Sequence, residues 1–340
     1  SAASDVYKRQ IILDYNLKRK DFHMKNTLLG NTGLSVSKIG MGVLPIGPNQ
    51  RNLPIEKGAE IIEYALENGI NFFDTAQYYK TYPYLKRAFS LSGKQPVICS
   101  KSLCTDYRSM EAAVEEARKA IDRDVIDIFL LHEVRTGQFA DRQGAWEYLN
   151  YAKDKGLVRA IGVSTHNIDV AEEMSKEAQC DVVFPLINYA GLGVRKGFEA
   201  GSADEMLAAI RKCKAAGKGI FSMKAFGGGN LTSSYQKALK YVLSIDDISS
   251  VMIGFSSLKE IDDAINYFEG LMAPDYNPDI SSKKMWIEES DCEGCGSCLK
   301  ACQSQAVYYN ERGLAQIDEK LCLTCGYCAA ACPVRAIIMI

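Results

Sequence analysis

Residues 97–132 read VICSKSLCTDYRSMEAAVEEARKAIDRDVIDIFLLH. The two ends, Val97–Lys101 and Ile126–His132, are short apolar runs of strand length. Between them Met110, Ala113, Val114, Ala117 and Ile121 recur at the spacing that lays one apolar stripe along a helix. The stretch is thus one strand-helix-strand unit, and the same alternation continues from Lys38 to Phe268. Strands read at Ile39–Gly42, Ile70–Asp74, Val97–Lys101, Ile126–His132, Val158–Ser164, Val182–Asn188, Gly219–Met223 and Ser250–Gly254. Helical faces follow suit, with Ile62, Ala65 and Leu66 on one and Leu258, Ile261, Ile265 and Phe268 on another. Eight such units predict an α/β chain folded as a (β/α)8 TIM barrel. Thr27–Ser37, turning at Asn31-Thr32-Gly33, predicts an N-terminal β-hairpin that closes the base. A doubly wound open sheet is the competing arrangement. It calls for G-x-G-x-x-G after the first strand, and Gly40-Met41-Gly42-Val43-Leu44-Pro45 does not complete one.

Outward from the barrel, residues 271–288 break the pattern with two prolines, Asp275, Asn277 and a serine pair, and read as a linker. Residues 289–340 then carry eight of the twelve cysteines in two matched runs. Cys292, Cys295, Cys298 and Cys302 form one; Cys322, Cys325, Cys328 and Cys332, followed by Pro333, form the other. Two C-x2-C-x2-C-x3-C runs match the bacterial two-cluster ferredoxin spacing, in which the fourth cysteine ligates the other cluster. The predicted cofactors are two [4Fe-4S] clusters, one on Cys292, Cys295, Cys298 and Cys332, the other on Cys322, Cys325, Cys328 and Cys302. Each fourth cysteine is expected at the start of a short helix. Structural zinc is the alternative, but it favours separated C-x2-C pairs over two runs of four. Gln303 stands where the first run would ordinarily have proline. The module's strands are expected at Ala306–Tyr309, Gln316–Asp318 and Ala336–Ile340, giving a small α+β ferredoxin-like domain built as an internal repeat.

At 340 residues and 47% hydrophobic composition, the chain is long enough for one large domain, residues 24–270, and this small one. A formal charge of −2 supplies no basic field for nucleic acid or an anionic membrane. No apolar run approaches the roughly 20 residues that span a bilayer. The expectation is a soluble cytoplasmic protein of an oxygen-poor prokaryotic cell. Residues 1–23 show no period and are expected to be a flexible or non-native extension, with Met24 as the start of the patterned chain.

In such a barrel, chemistry collects at the C-terminal ends of the strands. The second strand ends in Asp74, with Tyr79 five residues on; the third ends in Lys101 and the fourth in His132. Singly, each reads as an ordinary buried or loop residue. Together they converge on one pocket mouth. Tyrosine is a poor acid or base near neutrality unless a neighbouring cation favours its phenolate. Lys101 would supply that field, Asp74 would hold the lysine, and His132 would orient a substrate oxygen. A developing alkoxide needs such a relay.

Here the sequence resembles the aldo-keto reductase family, whose D-T-A-x-x-Y motif stands as Asp74-Thr75-Ala76-Gln77-Tyr78-Tyr79. Lys101, Leu131-His132 and Ile161-Gly162-Val163-Ser164 extend the resemblance over about residues 24–268. The cysteine tail likens the whole to the branch in which such a barrel is fused to a ferredoxin-like domain. The resemblance implies a catalytic tetrad of Asp74, Tyr79, Lys101 and His132. It also implies NADPH or NADH lying extended across the barrel mouth, with Ser164, Asn188, Met223, Lys224, Ser256 and Glu260 at cofactor positions. Phe184 replaces the family's usual glutamine, Met223 its stacking aromatic, and Glu260 the arginine that grips a 2′-phosphate. An acidic residue there favours a free 2′-hydroxyl, hence NADH.

Other residues carry weaker expectations. His166 reads as a loop residue near the site. Cys99, Cys104, Cys180 and Cys213 read as core. Tyr78, Tyr79, Tyr82 and Tyr84 read as a pocket wall, and Gly227–Gly229 equally as a loop open to a pyrophosphate or as a simple flexible loop. Substrate selection is expected in the loops 44–54, 78–84, 133–142 and 189–203.

Hydride moves as two electrons and a cluster takes one, so the halves do not couple without a mediator. The first functional expectation is reduction of a small-molecule carbonyl by NAD(P)H, with structural or regulatory clusters. The second is one-electron transfer from a ferredoxin through the clusters to a mediator or substrate in the barrel. The third is a redox sensor without catalysis.

Overall fold

The structure is a computed structural model that describes residues 24–281 and 283–340. The expected extension at residues 1–23 lies outside the described residues. A hairpin of β1 (Asn26–Leu28) and β2 (Ser35–Ser37) opens the described chain. Then β3 (Ile39–Gly42), β4 (Phe72–Asp74), β5 (Val97–Ser102), β6 (Ile126–Leu131), β7 (Val158–Thr165) and β8 (Val182–Pro185) follow in order. A short antiparallel pair, β9 (Arg195–Lys196) and β10 (Glu199–Ala200), precedes β11 (Gly219–Ser222) and β12 (Ser250–Gly254). Strands β3 to β8 with β11 and β12 form a closed, all-parallel barrel, as the alternation predicts.

Two apolar layers hold the barrel. Outward-facing strand residues pack under the amphipathic helices, such as Tyr107–Ile121, whose Met110, Ala113, Val114, Ala117 and Ile121 are all buried. Inside, Phe72, Ile128, Leu130, Val182, Phe184, Phe221 and Met252 meet Leu29, Leu34 and Val36 of the hairpin. The hairpin is therefore a plug for the barrel base. Burying each of Leu29 and Leu34 contributes about 1.5–3 kcal/mol. The fit needs Gly30: a Cβ there would lie 2.3 Å from the Gly219 nitrogen, and its φ is +52°.

The cysteine module has two small antiparallel sheets. One pairs β14 (Val307–Tyr309) with β15 (Ala315–Ile317). The other pairs β13 (Met285–Ile287) with β16 (Ile337–Met339). Residues 285–287, expected in the linker, are thus a strand of the module. Its three residues between serine-rich and acidic neighbours are too few to show a period. Each repeat carries a five-residue helix, Ser297–Ala301 and Tyr327–Ala331, and a shared apolar core includes Met285, Val307, Ala329 and Ile337. The two repeats superpose position for position in sequence, so that Asp291 and Glu293 of the first correspond to Leu321 and Leu323 of the second.

The module lies over the C-terminal mouth of the barrel. Arg195 pairs with Glu293 at 2.9 Å, and Lys224 with Asp291 at 3.0 Å and Glu288 at 3.2 Å. The Arg135 guanidinium donates to the Ser290 carbonyl at 3.0 Å. At the other edge, the Met339 N–H donates to the Gly228 carbonyl at 2.7 Å, and Asn230 donates to the Ile337 carbonyl at 3.0 Å.

Candidate active site

Asp74 ends β4, and the chain then makes a short 3-10 turn, Gln77–Tyr79, that returns Tyr79 over the barrel. Lys101 sits near the end of β5, and His132 follows β6 directly. The four expected residues do converge. The Lys101 ammonium lies 2.8 Å from Asp74 Oδ1 and donates to the Thr75 carbonyl at 2.7 Å. It also sits over the Tyr79 ring, 4.7 Å from the centroid. The Tyr79 hydroxyl is 3.4 Å from His132 Nε2, with the two rings edge to face.

Lys101 is 1% exposed, so this pair is held in the interior, where broken ion pairs are costly. Burial raises the Asp74 pKa more than Lys101 lowers it. Burial and then Lys101 push the His132 imidazole well below its usual range, so it is neutral. Tyr79 departs from the expectation that Lys101 would favour its phenolate. Burial, then Asp74, Glu288, Asp291 and Glu133, hold its pKa well above ordinary tyrosine. Two of those carboxylates come from the cysteine module, whose place over the barrel the sequence does not reveal. Tyr79 is thus kept protonated.

A cavity of about 1060 Å³ begins at this tetrad and runs past Ser164, His166, Phe184, Met223, Lys224 and Gly228–Gly229 to Ser256 and Glu260. Met285–Asp291 and Ile338–Ile340 of the module form its opposite wall. Ser164 lines the cavity while its hydroxyl accepts from the Glu133 N–H at 2.8 Å. Met223, Lys224, Ser256 and Glu260 line it too. Asn188 is not among the lining residues. Its amide donates to the Leu192 and Lys224 carbonyls and accepts from Ala190 and Leu192, bracing the loop after β8. Met223 supplies an apolar wall but no aromatic face. Tyr78 and Tyr79 line the cavity, whereas Tyr82 and Tyr84 turn into the core. Tyr82 bonds Ser100 at 2.7 Å and Tyr84 donates to the Leu53 carbonyl at 2.6 Å. They belong to the helix Tyr82–Ser92, whose period turns both away from the mouth.

His166 also lines the cavity, and burial with the Lys224 charge lowers its imidazole to about 3. Sequence reasoning missed Glu133, Arg135, Glu288 and Asp291. Glu133 holds a positive φ of 50° and a carboxyl raised to about 8, chiefly by burial and by Asp291. Its place next to His132 was the one available signal. At Lys224, burial opposes the charge, but Asp291 and Glu288 outweigh it and the ammonium is held firmly charged. At the far end, against the pull of burial, Lys283 and Ser256 hold Glu260 ionised. Of the four scattered cysteines, Cys99, Cys180 and Cys213 are buried and Cys104 partly so.

In the module, Cys292, Cys295, Cys298 and Cys332 ring one small cavity. Cys328 is the centre of the other group: burial raises its thiol to about 11, with Cys302, Cys322 and Cys325 near enough to add to the shift. Among the described residues no three His, Cys, Asp or Glu side chains close around a single ion. Thiols spread around a hollow suit a multi-iron cluster better than a lone zinc. Amide groups point at the sulfurs, with Ala306 N–H on Cys302 at 3.2 Å and Thr324 N–H on Cys322 at 3.4 Å. The helix placement differs from expectation. Cys298 and Cys328 sit in the first turn, after Gly296 and Gly326 in the left-handed conformation, while Cys302 and Cys332 cap the C-terminal ends. The x3 spacing is about one helical turn, which carries the fourth sulfur to the helix end. Gln305 and Arg335 make the same turn after both helices, so Gln303 in place of proline leaves the backbone unchanged.

Residues 38–237 match the model of the Aldo/keto reductase family, which is more than half of the 340 residues. The chain belongs to the aldo/keto reductase family. Residues 285–340 match a 4Fe-4S dicluster domain. This aldo/keto reductase is 24% identical to L-galactose dehydrogenase of Arabidopsis thaliana over 282 residues, covering 70% of this chain and 86% of the relative. It is 26% identical to glyoxal reductase of Bacillus subtilis, over 48% of this chain and 57% of the relative, so it spans little more than half of that protein. In fold it is similar to the holo form of an aldo-keto reductase from Bacillus halodurans, with a TM-score of 0.60 and 19% identity over 73% of this chain and 91% of that one. The chain is an oxidoreductase of this family carrying a 4Fe-4S module. Among the described residues no helix is long and apolar enough to cross a membrane.

Proposed function

We propose that this aldo/keto reductase reduces a small-molecule carbonyl to the alcohol, with Tyr79 as proton donor. The convergence of Tyr79, His132, Lys101 and Asp74 at the end of one long cavity carries the reading. The cavity's length, from the tetrad past a glycine run to Ser256 and Glu260, suits an extended nicotinamide dinucleotide. When bound, NADH or NADPH supplies the hydride.

The chain's own residues do the rest. Neutral His132 presents Nε2 beside the Tyr79 hydroxyl, so a carbonyl oxygen between them receives two hydrogen bonds. As negative charge grows on that oxygen, Tyr79 gives it the phenol proton. The buried Lys101 ammonium under the ring stabilises the phenolate left behind, and Asp74 fixes the ammonium. Solvent then returns the proton to Tyr79. Burial, reinforced by Asp74, Glu288, Asp291 and Glu133, keeps Tyr79 protonated at rest, which suits donation in the reductive direction. Glu260 accepts from the Ser256 N–H at 2.7 Å and pairs with Lys283, so an anion stands where a 2′-phosphate would need a cation, and NADH is the proposed donor. Cys292, Cys295, Cys298 and Cys332 would hold one [4Fe-4S] cluster and Cys322, Cys325, Cys328 and Cys302 the other, supplying one-electron chemistry.

Tyr79→Phe tests the reading. Anaerobic reduction of a carbonyl panel with NADH and with NADPH is expected to fall by about 10²–10⁴-fold. Unchanged turnover would refute it, and a strong NADPH preference would refute the choice of donor. One observation favours a second reading, delivery of electrons from a ferredoxin through the clusters: the cavity wall formed by residues 285–291 ends next to Cys292. Turnover driven by reduced ferredoxin or a viologen dye without nicotinamide would establish it.

A further inference from the structure

Barrel and module share three places along the cavity. At the tetrad end, Lys224 is held by Asp291 at 3.0 Å and Glu288 at 3.2 Å. Midway, the Gly228 carbonyl takes the Met339 N–H at 2.7 Å. Next to it Gly229 has a φ of +86°, and a Cβ there would lie 2.3 Å from the Met339 oxygen. At the far end Glu260 pairs with Lys283. An interior cation and a run of left-handed glycines are what a phosphate-bearing ligand lying along this cavity would use. Here the module uses them instead.

The charge balance points the same way. The other cavity lysines are taken as well, Lys259 by Asp263 and Lys283 by Glu260. Among the described residues, Arg51, on an exposed loop, is the lining cation outside the tetrad that has no carboxylate partner. A pyrophosphate therefore meets no free interior cation until Asp291 and Glu288 give up Lys224.

We infer that the cysteine module and a nicotinamide dinucleotide compete for Lys224 and the Gly227–Gly229 loop, so that dinucleotide binding lifts the module from the barrel mouth. The inference rests on the nicotinamide reading above. Linkage makes it reciprocal: whatever loosens the docked module tightens the dinucleotide, by the same factor.

Two readouts other than turnover test it on the intact, cluster-loaded chain. The first is NADH affinity, measured by nicotinamide fluorescence for the wild type, Glu288→Gln and Asp291→Asn, each checked for its cluster absorption. Both variants are expected to bind at least about fivefold more tightly, the low end of coupling between linked sites. The second is hydrogen exchange. The Met339 N–H reaches the barrel, whereas the Ile340 N–H bonds Lys284 within the module. Saturating NADH is expected to expose Met339 and leave Ile340 protected. Binding of NADH with Met339 still protected and affinities unchanged in both variants overturns this inference and spares the nicotinamide reading. Failure of wild type and variants to bind either nicotinamide overturns both.

Discussion

Replacing Lys101 by methionine removes the ammonium that Asp74 faces at 2.8 Å while leaving a side chain of similar length. The Asp74 side chain is 8% exposed, so its charge would remain buried without a partner. Breaking such a pair costs about 3–5 kcal/mol. The carboxyl has one escape, which is to take up a proton. From an ordinary value of 3.8 that costs about 4 kcal/mol at pH 7 and roughly 2 kcal/mol at pH 5, so protonation caps the penalty. The sign follows from linkage. An acid whose folded pKa is raised destabilises the native state progressively as pH climbs from its unfolded value toward its folded one, and evenly above that. The Lys101→Met deficit should therefore be about 3–4 kcal/mol at pH 7 and no more than about 2 at pH 5. Anaerobic urea unfolding followed through Trp146, buried in the barrel, measures it. The double variant Lys101→Met with Asp74→Leu should recover most of the loss, because no charge is left stranded. A deficit below about 1 kcal/mol, or one independent of pH, would show that the pair is solvated and refute the reasoning.

Two more outcomes follow from groups described above. His132 and His166 are buried neutral, so the unfolded chain binds protons they do not, and stability should fall as pH drops below their ordinary 6.5; the urea midpoint against pH reads this, and His166→Gln should flatten the slope. Gentle anaerobic removal of iron should open residues 283–340 to protease while the barrel keeps its circular dichroism, since a core this small depends on its metal; intact resistance would argue that the module folds on its own.

Much of this was readable in advance, for a physical reason in each case. Parallel barrel strands are buried on both faces and so appear as apolar runs, which is why all eight could be placed from Ile39 to Gly254. Leu29, Leu34 and Val36 flank a turn and show as a hairpin. Asp74, Lys101 and His132 stand out because each is the polar residue where an apolar strand ends. What escaped depends on where distant segments meet. Nothing local announces that Glu288 and Asp291 come to rest beside Tyr79, and they help reverse the expected effect on its phenol. Tyr82 and Tyr84 failed as wall residues because a helix starts at Tyr82 and rotates them inward. Asn188, matched to a ligand contact, instead satisfies the backbone of its own loop.

The correspondence of Asp291 and Glu293 with Leu321 and Leu323 has a consequence for orientation. A module made of two like halves offers two nearly equivalent faces, and shape alone would let either one seat on the barrel. Seated backwards, it would set Leu321 and Leu323, now 51% and 74% exposed, against Lys224, Arg135 and Arg195. Of its two carboxylate partners Lys224 would then keep only the counterpart of Glu288, which is Asp318, and Arg195 would lose Glu293. Two positions, charged in one copy and hydrocarbon in the other, are enough to give a nearly symmetric module one way round.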